Sequence, residues 1–398
     1  MIHYVLVAMA WLIALAWLFK LAEAARGLGK VPNLLAAEYD VAPAGMPWVT
    51  VIVPARNEEE NVAACVESLI GQDYANLRIV AVDDRSTDQT GAILGAIGEE
   101  HRGRLEVLRV KELPAEWLGK THAMALPARH TIADHNPEYL LFTDADIIFR
   151  TDTIRRALAQ AVATQADHFV LLPTTIAKTR GEAMMLAFLQ VMSLWAIRPW
   201  RVPDPKAVRD SIGVGAFNLI RTQAYQQLGG FEASPMEILE DLTLGRRVKQ
   251  AGLRQRIAIA PGMVTVHWAA GAWGIVNGMV KNLFAVFRFR PALLLAAAVW
   301  LALFCIAPLG LLALHGARVP AMVTFASAFG LYALSNRTSR ISPAYAALLP
   351  VAAAFVVYSM LRSMWITVRQ GGVRWRGTFY SLADLREHVD RSNKKQIL

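Results

Sequence analysis

Apolar and polar positions follow two different patterns along this chain. Between Trp48 and about Trp268, short continuous apolar runs alternate with helix-length amphipathic stretches. Val49-Thr50-Val51-Ile52-Val53-Pro54 precedes a helical Glu58 to Ile70, and Leu77 to Asp83 precedes a helical Thr87 to Glu100, followed by the strand-like Leu105 to Val110. Such alternation predicts βαβ units and an α/β domain with a mostly parallel sheet. Strands that are apolar at nearly every position, such as Ile79 to Val82, predict a sheet covered on both faces, with ligands at the C-terminal ends of its strands. Asp83, Asp84, Asp144 and Asp146 all fall at such ends.

Outside that region the pattern is one of membrane helices. Met1 to Phe19 contains no acid or strong base and Ala292 to Leu314 is uncharged throughout, so both are long enough to cross a hydrocarbon core. Val319 to Asn336 is shorter and polar at its end, and Ile341 to Leu361 carries Pro343 and Pro350 in its first half. Between the α/β region and these segments, Ala272 to Phe289 interleaves Trp273, Met279, Phe284 and Phe287 with Asn277, Lys281 and Arg288, the pattern of an interfacial helix. The expected organisation is an N-terminal anchor over 1–22, a cytoplasmic α/β domain over 45–268, an interfacial helix over 270–290, two to three membrane segments over 291–368 and a basic tail over 369–398.

Composition supports a membrane assignment. Apolar residues make up 55% and charged residues 18% of the 398, a high ratio for a purely soluble protein. The first segment lacks the basic start of a cleaved signal peptide, and Lys20, Arg26 and Lys30 just after it favour a cytoplasmic C-terminal end. A net charge of +9 raises nucleic acid as a partner, but Lys281, Arg288, Arg290, Arg337, Arg340, Arg369, Arg374 and Arg376 flank the apolar segments, where anionic lipid headgroups explain them. Two cysteines, Cys65 and Cys305, far apart and in dissimilar segments, support neither a disulfide framework nor a zinc site. The location expected is the inner, plasma membrane, with several crossings.

The candidate chemistry is acidic. Asp144-Ala145-Asp146 ends the apolar run Tyr139 to Thr143; two carboxylates one residue apart can hold a divalent cation while leaving coordination positions for phosphate oxygens. Pro54-Ala55-Arg56-Asn57-Glu58-Glu59-Glu60 follows the first strand, and Val82-Asp83-Asp84-Arg85-Ser86-Thr87-Asp88 the second. Acidic residues at a helix start also suit the helix dipole, and Asp83 and Asp84 also serve as turn residues, so neither stretch is decisive alone. Trp117-Leu118-Gly119-Lys120-Thr121-His122-Ala123 supplies a point charge, Lys120, with Gly119 allowing close backbone approach. Val214 to Arg221, Leu228-Gly229-Gly230-Phe231 and Glu240-Asp241-Leu242-Thr243-Leu244-Gly245-Arg246-Arg247 complete the series.

In this order the motifs resemble those of membrane-bound family 2 glycosyltransferases of the GT-A type, including ceramide glucosyltransferase-like and carotenoid- or hopanoid-associated bacterial members. The resemblance covers Val49 to about Phe289. It implies a Rossmann-like GT-A domain that moves one sugar from a nucleotide-diphospho-sugar, a UDP-sugar being favoured, to a lipid or other hydrophobic acceptor, with inversion. By the same resemblance Asp241 is the candidate base, with Glu240 beside it; Pro54, Asn57, Glu58, Asp83, Asp84, Gly119, Lys120, Asp144, Arg246 and Arg247 bind substrate; and Asp144 with Asp146 binds Mg2+ or Mn2+. Polysaccharide synthases of this family carry Gln-x-x-Arg-Trp after the base. That motif does not occur between Asp241 and Arg290, so a single transfer is favoured over a polymer. A non-catalytic nucleotide-sugar-binding scaffold is the other alternative.

Overall fold

A computed structural model describes residues 1–395, so the last residues of the tail expected over 369–398 lie outside the described residues. The chain forms two compact units. One, the sheet unit, consists mainly of Val31–Thr174 and Trp200–Val266; the other, the helical unit, consists of Met1–Lys30, Thr175–Pro199 and His267–Arg391.

In the sheet unit, β1 (Val49–Ala55), β2 (Leu77–Asp84), β3 (Leu105–Val110) and β4 (Tyr139–Phe142) are followed by the short β5 (Ile148–Phe149), β6 (His168–Leu172), the short β7 (Thr174–Thr175), β8 (Asn218–Arg221), β9 (Gln255–Ile259) and β10 (Val264–Val266). Seven of them form one sheet in the order β3-β2-β1-β4-β8-β6-β9. β1 pairs in parallel with β2 and β4, as do β2 with β3 and β6 with β9. All seven residues of β1 and all four of β4 are buried, which is what a strand covered by helices on both faces requires. Each fully buried Val, Leu or Ile in these strands contributes on the order of 1.5–3 kcal/mol of hydrophobic stabilisation.

One strand departs from the parallel pattern, and the site depends on it. β8 runs antiparallel to both β4 and β6, with Asn218 opposite Phe142. The chain just before β8 therefore meets the chain just after β4, so Gly215 to Phe217 lies beside Thr143 and Asp144. Thr143 Oγ1 donates to the Ala216 carbonyl at 2.9 Å and Asp144 N donates to the Gly215 carbonyl at 3.0 Å.

The helical unit contains Ile2–Gly27, Arg180–Ala196, Gly271–Val286, Pro291–Leu301, Arg318–Ser339 and Leu349–Gln370, followed by a hairpin of β11 (Gly372–Trp375) and β12 (Thr378–Ser381) and the helix Leu382–Lys395. Among the described residues, five helices are long and apolar enough to cross a membrane: Ile2–Lys30, Arg180–Arg201, Pro291–Leu311, Arg318–Asn336 and Pro343–Gln370. Arg180–Arg201 has no counterpart in the sequence reading. It lies within the stretch expected to be a continuous α/β domain, and its apolar character is diluted by Glu182, Gln190 and Arg198. Glu182 is buried, accepting from Gly271 N at 2.6 Å and Lys178 N at 2.6 Å.

A buried polar network crosses the β8–β6–β9 end of the sheet. Gln255 Nε2 donates to His168 Nδ1 at 2.9 Å, and His168 Nε2 donates to Asn218 Oδ1. Gln255 also closes a two-way bond with Ile212, accepting from its N–H at 3.1 Å and donating to its carbonyl at 2.8 Å, which fixes the amide orientation and hence the His168 tautomer. Burial pushes the His168 pKa down to about 4, against the opposing bond to Asn218. A folded-state pKa below the unfolded value near 6.5 means that this contribution to stability is complete above pH ~6.5 and is lost as pH falls toward about 4, up to about 3 kcal/mol. The melting temperature of the detergent-solubilised protein is expected to fall more steeply over that window than that of His168→Gln. Equal slopes for the two proteins would show that His168 does not titrate this way.

Candidate active site

The ends of β1 and β2 are laced together before any ligand is considered. Asn57 sits at φ 54°, in the left-handed region that asparagine tolerates. Its N–H donates to Ser86 Oγ at 3.1 Å and its Oδ1 accepts from Thr87 N at 2.8 Å. Glu58 N donates to Thr90 Oγ1 at 2.8 Å. Asp83 accepts from Ser86 N at 3.2 Å, and Asp84, almost fully buried, receives both Arg85 Nε at 2.8 Å and Arg85 Nη2 at 3.0 Å, with Arg56 Nη1 3.8 Å away. Pro54 is a buried residue of β1 itself, opposite Val82.

Gly119 opens the helix Gly119–Asp134, and the structure supplies its own reason for glycine there. A Cβ at this position would lie 2.7 Å from both Asp84 Oδ2 and Arg85 Nη2. The next residue, Lys120, joins two motifs that lie far apart in the sequence: its Nζ is 2.6 Å from Asp144 Oδ1 and 2.6 Å from Glu240 Oε1. Burial alone would lower the lysine pKa, but the charges of Asp144 and Glu240 override it and hold the ammonium form.

Glu240 and Asp241 begin the helix Glu240–Gln250, where acids in the first turn and Arg247 and Lys249 in the last both complement the helix dipole. Asp241 Oδ2 accepts from Gly215 N at 2.9 Å and Oδ1 from Leu242 N at 2.7 Å. Gly215 thus joins the two residues, its carbonyl accepting from the Asp144 backbone N–H and its own N–H donating to the Asp241 carboxylate. A Cβ on Gly215 would lie 2.5 Å from Asp144 Oδ2, so only glycine fits. Burial, reinforced by the neighbouring charge of Glu240, pushes the Asp241 pKa up to about 7, with Lys120 opposing. Burial also raises Asp146 to about 6, with help from the charges of Asp144 and Glu58.

The two arginines that follow in this helix, Arg246 and Arg247, diverge. Arg247 donates to the carbonyls of Gly230, at 3.0 Å, and Leu228, and to Ser234 Oγ at 3.2 Å, so it braces the loop after the Gly229-Gly230 pair. Arg246 lies on the exposed side of the helix. Three groups that sequence reasoning did not single out belong to the site. Arg85 holds Asp84, while Asn218, from the Val214–Arg221 motif, and Phe231 line a small pocket with Lys120, Glu240 and Asp241.

No cluster of three or more His, Cys, Asp or Glu with metal-ligand geometry occurs among the described residues. Asp144 and Asp146 nevertheless fit a hard divalent cation that takes most of its ligands from elsewhere. They are oxygen donors in an acidic corner with Glu58, where burial and then the charges of Asp144 and Glu58 disfavour the Asp146 carboxylate and a cation would favour it.

Residues 50–228 match the model of Glycosyl transferase family 2. The chain carries a family 2 glycosyltransferase domain on a GT-A fold. Over 346 residues it is 24% identical to 4,4'-diaponeurosporenoate glycosyltransferase of Staphylococcus aureus (strain MRSA252), covering 84% of this chain and 88% of the relative. It is 23% identical over 346 residues to the protein of that name from Staphylococcus aureus (strain bovine RF122 / ET3-1), with the same coverage. Among solved structures, mannosyltransferase PcManGT from Pyrobaculum calidifontis in complex with GDP-Man and Mn2+ shares the fold, with a TM-score of 0.53 at 20% identity over 91% of this chain and 99% of that one.

Gly215→Ala in this glycosyltransferase is expected to displace Asp144 and lower transfer about a hundredfold, the scale of effect from misplacing a reacting group by roughly 1 Å. Transfer rate beside melting temperature checks it; undiminished transfer would mean that the Gly215 contact does not hold the site.

Proposed function

We propose that this glycosyltransferase moves one sugar from a nucleotide-diphospho-sugar to the hydroxyl of a lipid-like acceptor, with inversion at the anomeric carbon. The observation that carries the reading is the Gly215 bridge between Asp144 and Asp241: its carbonyl holds the Asp144 backbone on the donor side and its N–H holds the Asp241 carboxylate on the acceptor side. In-line displacement needs a base on the face opposite the leaving diphosphate, and Asp241 has the environment for it. Its Oδ1 and Oδ2 are oriented by two backbone donors, and its raised pKa suits a group that must accept a proton near neutrality.

On this reading Asp144 and Asp146 would hold Mg2+ or Mn2+, which when bound neutralises charge on the leaving diphosphate. Lys120 keeps Asp144 and Glu240 in place and brings an ammonium to the phosphate end, so Glu240 acts through Lys120 rather than on substrate. Asn57 and Glu58, just past β1, and Asp83 and Asp84, the last residues of β2, form a fitting surface for the nucleoside, with Arg85 setting the Asp84 carboxylate. Arg247 supports the acceptor side by bracing the Gly229-Gly230 loop.

The staphylococcal relatives are named for 4,4'-diaponeurosporenoate, a carboxylate. A carboxylate nucleophile brings no proton to remove and would approach a corner already holding Glu240 and Asp241, so this site favours an uncharged hydroxyl on an acceptor that is otherwise similarly apolar.

Membranes containing the protein, given UDP- and GDP-sugars with and without divalent cation, are expected to form a metal-dependent glycolipid bearing one added sugar, identified by mass spectrometry. Asp241→Asn is expected to lower transfer by about 10²–10⁴-fold while donor binding is retained. Full activity of that variant would remove the base; a polymeric product would favour a synthase, and absence of turnover with every donor a binding scaffold.

A further inference from the structure

Three apolar stretches follow the catalytic unit, and three crossings would leave the basic tail on the opposite side of the membrane from it, against the preference of Lys and Arg for the cytoplasmic side. Packing inside the helical unit argues for two. The helices Ile2–Gly27 and Arg318–Ser339 run parallel: a Cβ on Gly316, just before the second helix, would lie 3.4 Å from Val7 and 3.6 Å from His3, and one on Gly330 would lie 2.9 Å from Leu21. Ser339 therefore lies at the Gly27 end of the bundle. The helix that starts at Pro291 runs the other way. Trp17 Nε1 donates to the Phe304 carbonyl at 3.0 Å, and the chain beyond Leu311 reaches Gly316 beside His3. Pro291, too, is at the Gly27 end.

The helix Leu349–Gln370 begins shortly after Ser339 and should finish near His3 and Gly316 if it crossed. It packs along Pro291–Leu301 and Ala302–Ile306, but its side-chain ring and hydrogen-bond partners lie in the segment before Pro291, at the other end. Trp273 packs on Phe355 and Tyr358, with ring centroids 5.3 and 5.8 Å apart, and Ser363 Oγ accepts from Phe284 N at 3.0 Å. Past the helix, the Trp375 ring centroid lies 3.8 Å from Lys281 Nζ, and Arg386 donates to the Phe289 carbonyl at 3.0 Å. Each of these partners belongs to the segment Gly271–Arg290 that leads into Pro291. The helix thus starts and ends on one side.

Its outward face says what covers it. Val351, Tyr358, Leu361, Trp365 and Val368 recur at helical spacing and are all exposed, Trp365 at 65%. Tyr and Trp favour the membrane–water boundary, and exposed Arg369 and Arg374 lie just beyond this stripe, where anionic headgroups attract them. Lys20, Arg26, Lys30 and Arg340 also belong to the Gly27 end of the bundle, whereas the His3 end has Arg318 as its nearest strong base in the sequence.

We infer that Pro343–Gln370 does not cross the membrane but rests against the monolayer on the side where the chain passes into the catalytic unit, with the Val351–Val368 stripe on lipid and the basic hairpin in the water of that side. The test uses full-length protein in native membranes, with buried Cys65 and Cys305 as the unlabelled background. Single cysteines at exposed positions, Ile2→Cys, Glu112→Cys in the catalytic unit and Arg374→Cys, are treated with a membrane-impermeant maleimide in intact cells and in inverted vesicles. Arg374→Cys is expected to label with Glu112→Cys, only in inverted vesicles, and Ile2→Cys only in intact cells. Labelling of Arg374→Cys together with Ile2→Cys would overturn the inference. A solvent-sensitive fluorophore on Trp365→Cys is expected to emit in the blue and to be quenched by lipid-borne quenchers; water-like, unquenched emission would remove the lipid contact. Retained glycosyl transfer in the same membranes shows that each variant is folded.

Discussion

The Lys120 ammonium, held between Asp144 and Glu240, is the interaction on which the rest of the site depends. It joins the start of one helix, the end of β4 and the start of the helix carrying Asp241, elements brought together only by the fold. The charges of Asp241 and Asp146 also act on it, so one lysine faces four carboxylates. At an effective dielectric near 20, two like charges about 4 Å apart repel by roughly 4 kcal/mol, which one cation cannot offset everywhere. Burial first, and these neighbouring charges after it, raise the pKa values of Asp146 and Asp241. Such a corner is poorly arranged for stability and well arranged for accepting positive charge on one side and a proton on the other.

Backbone geometry makes this crowding possible. The antiparallel β8 delivers Gly215 into the gap beyond β4, and its two peptide groups become fixed partners for Asp144 and Asp241. Beneath it, the Gln255–Ile212 pair and the His168–Asn218 bond anchor both ends of the segment leading through Gly215. A neutral buried histidine serves here because both ring nitrogens can be satisfied without adding charge next to an already unbalanced site.

What could be read in the sequence was what local order encodes. Strand runs ending in acids placed Asp83, Asp84, Asp144 and Asp146 at the C-terminal edge of the sheet, because a parallel sheet leaves that edge open. The partners of those acids were not legible. That Glu240 faces Lys120 across 120 positions, that Arg85 turns back onto Asp84, and that Arg247 points at the Gly229-Gly230 carbonyls are outcomes of three-dimensional packing, to which periodicity is blind. Gly119 was read as room for a ligand; the atoms that require it are those of Asp84 and Arg85. Likewise Arg180–Arg201 escaped notice because its polar residues have partners within the helical unit: Glu182 with Gly271, Gln190 with Thr338 at 2.7 Å, and Arg198 with Glu23 at 3.6 Å.

Those partners make the helical unit discontinuous in sequence, with consequences for how the enzyme can be divided. Trp195, near the end of Arg180–Ala196, packs against Trp17, Trp300 and Phe304, residues from both the N-terminal helix and the helix that follows the catalytic unit. Removing the chain before Val31 or after Val266 would leave Arg180–Ala196 in place and strip its apolar face of partners. A soluble fragment cut at the apparent domain limits would therefore expose a helix-length apolar surface, which favours aggregation. The connection between β7 and β8 that carries Arg180–Ala196 is the one that returns to the site as Gly213-Val214-Gly215.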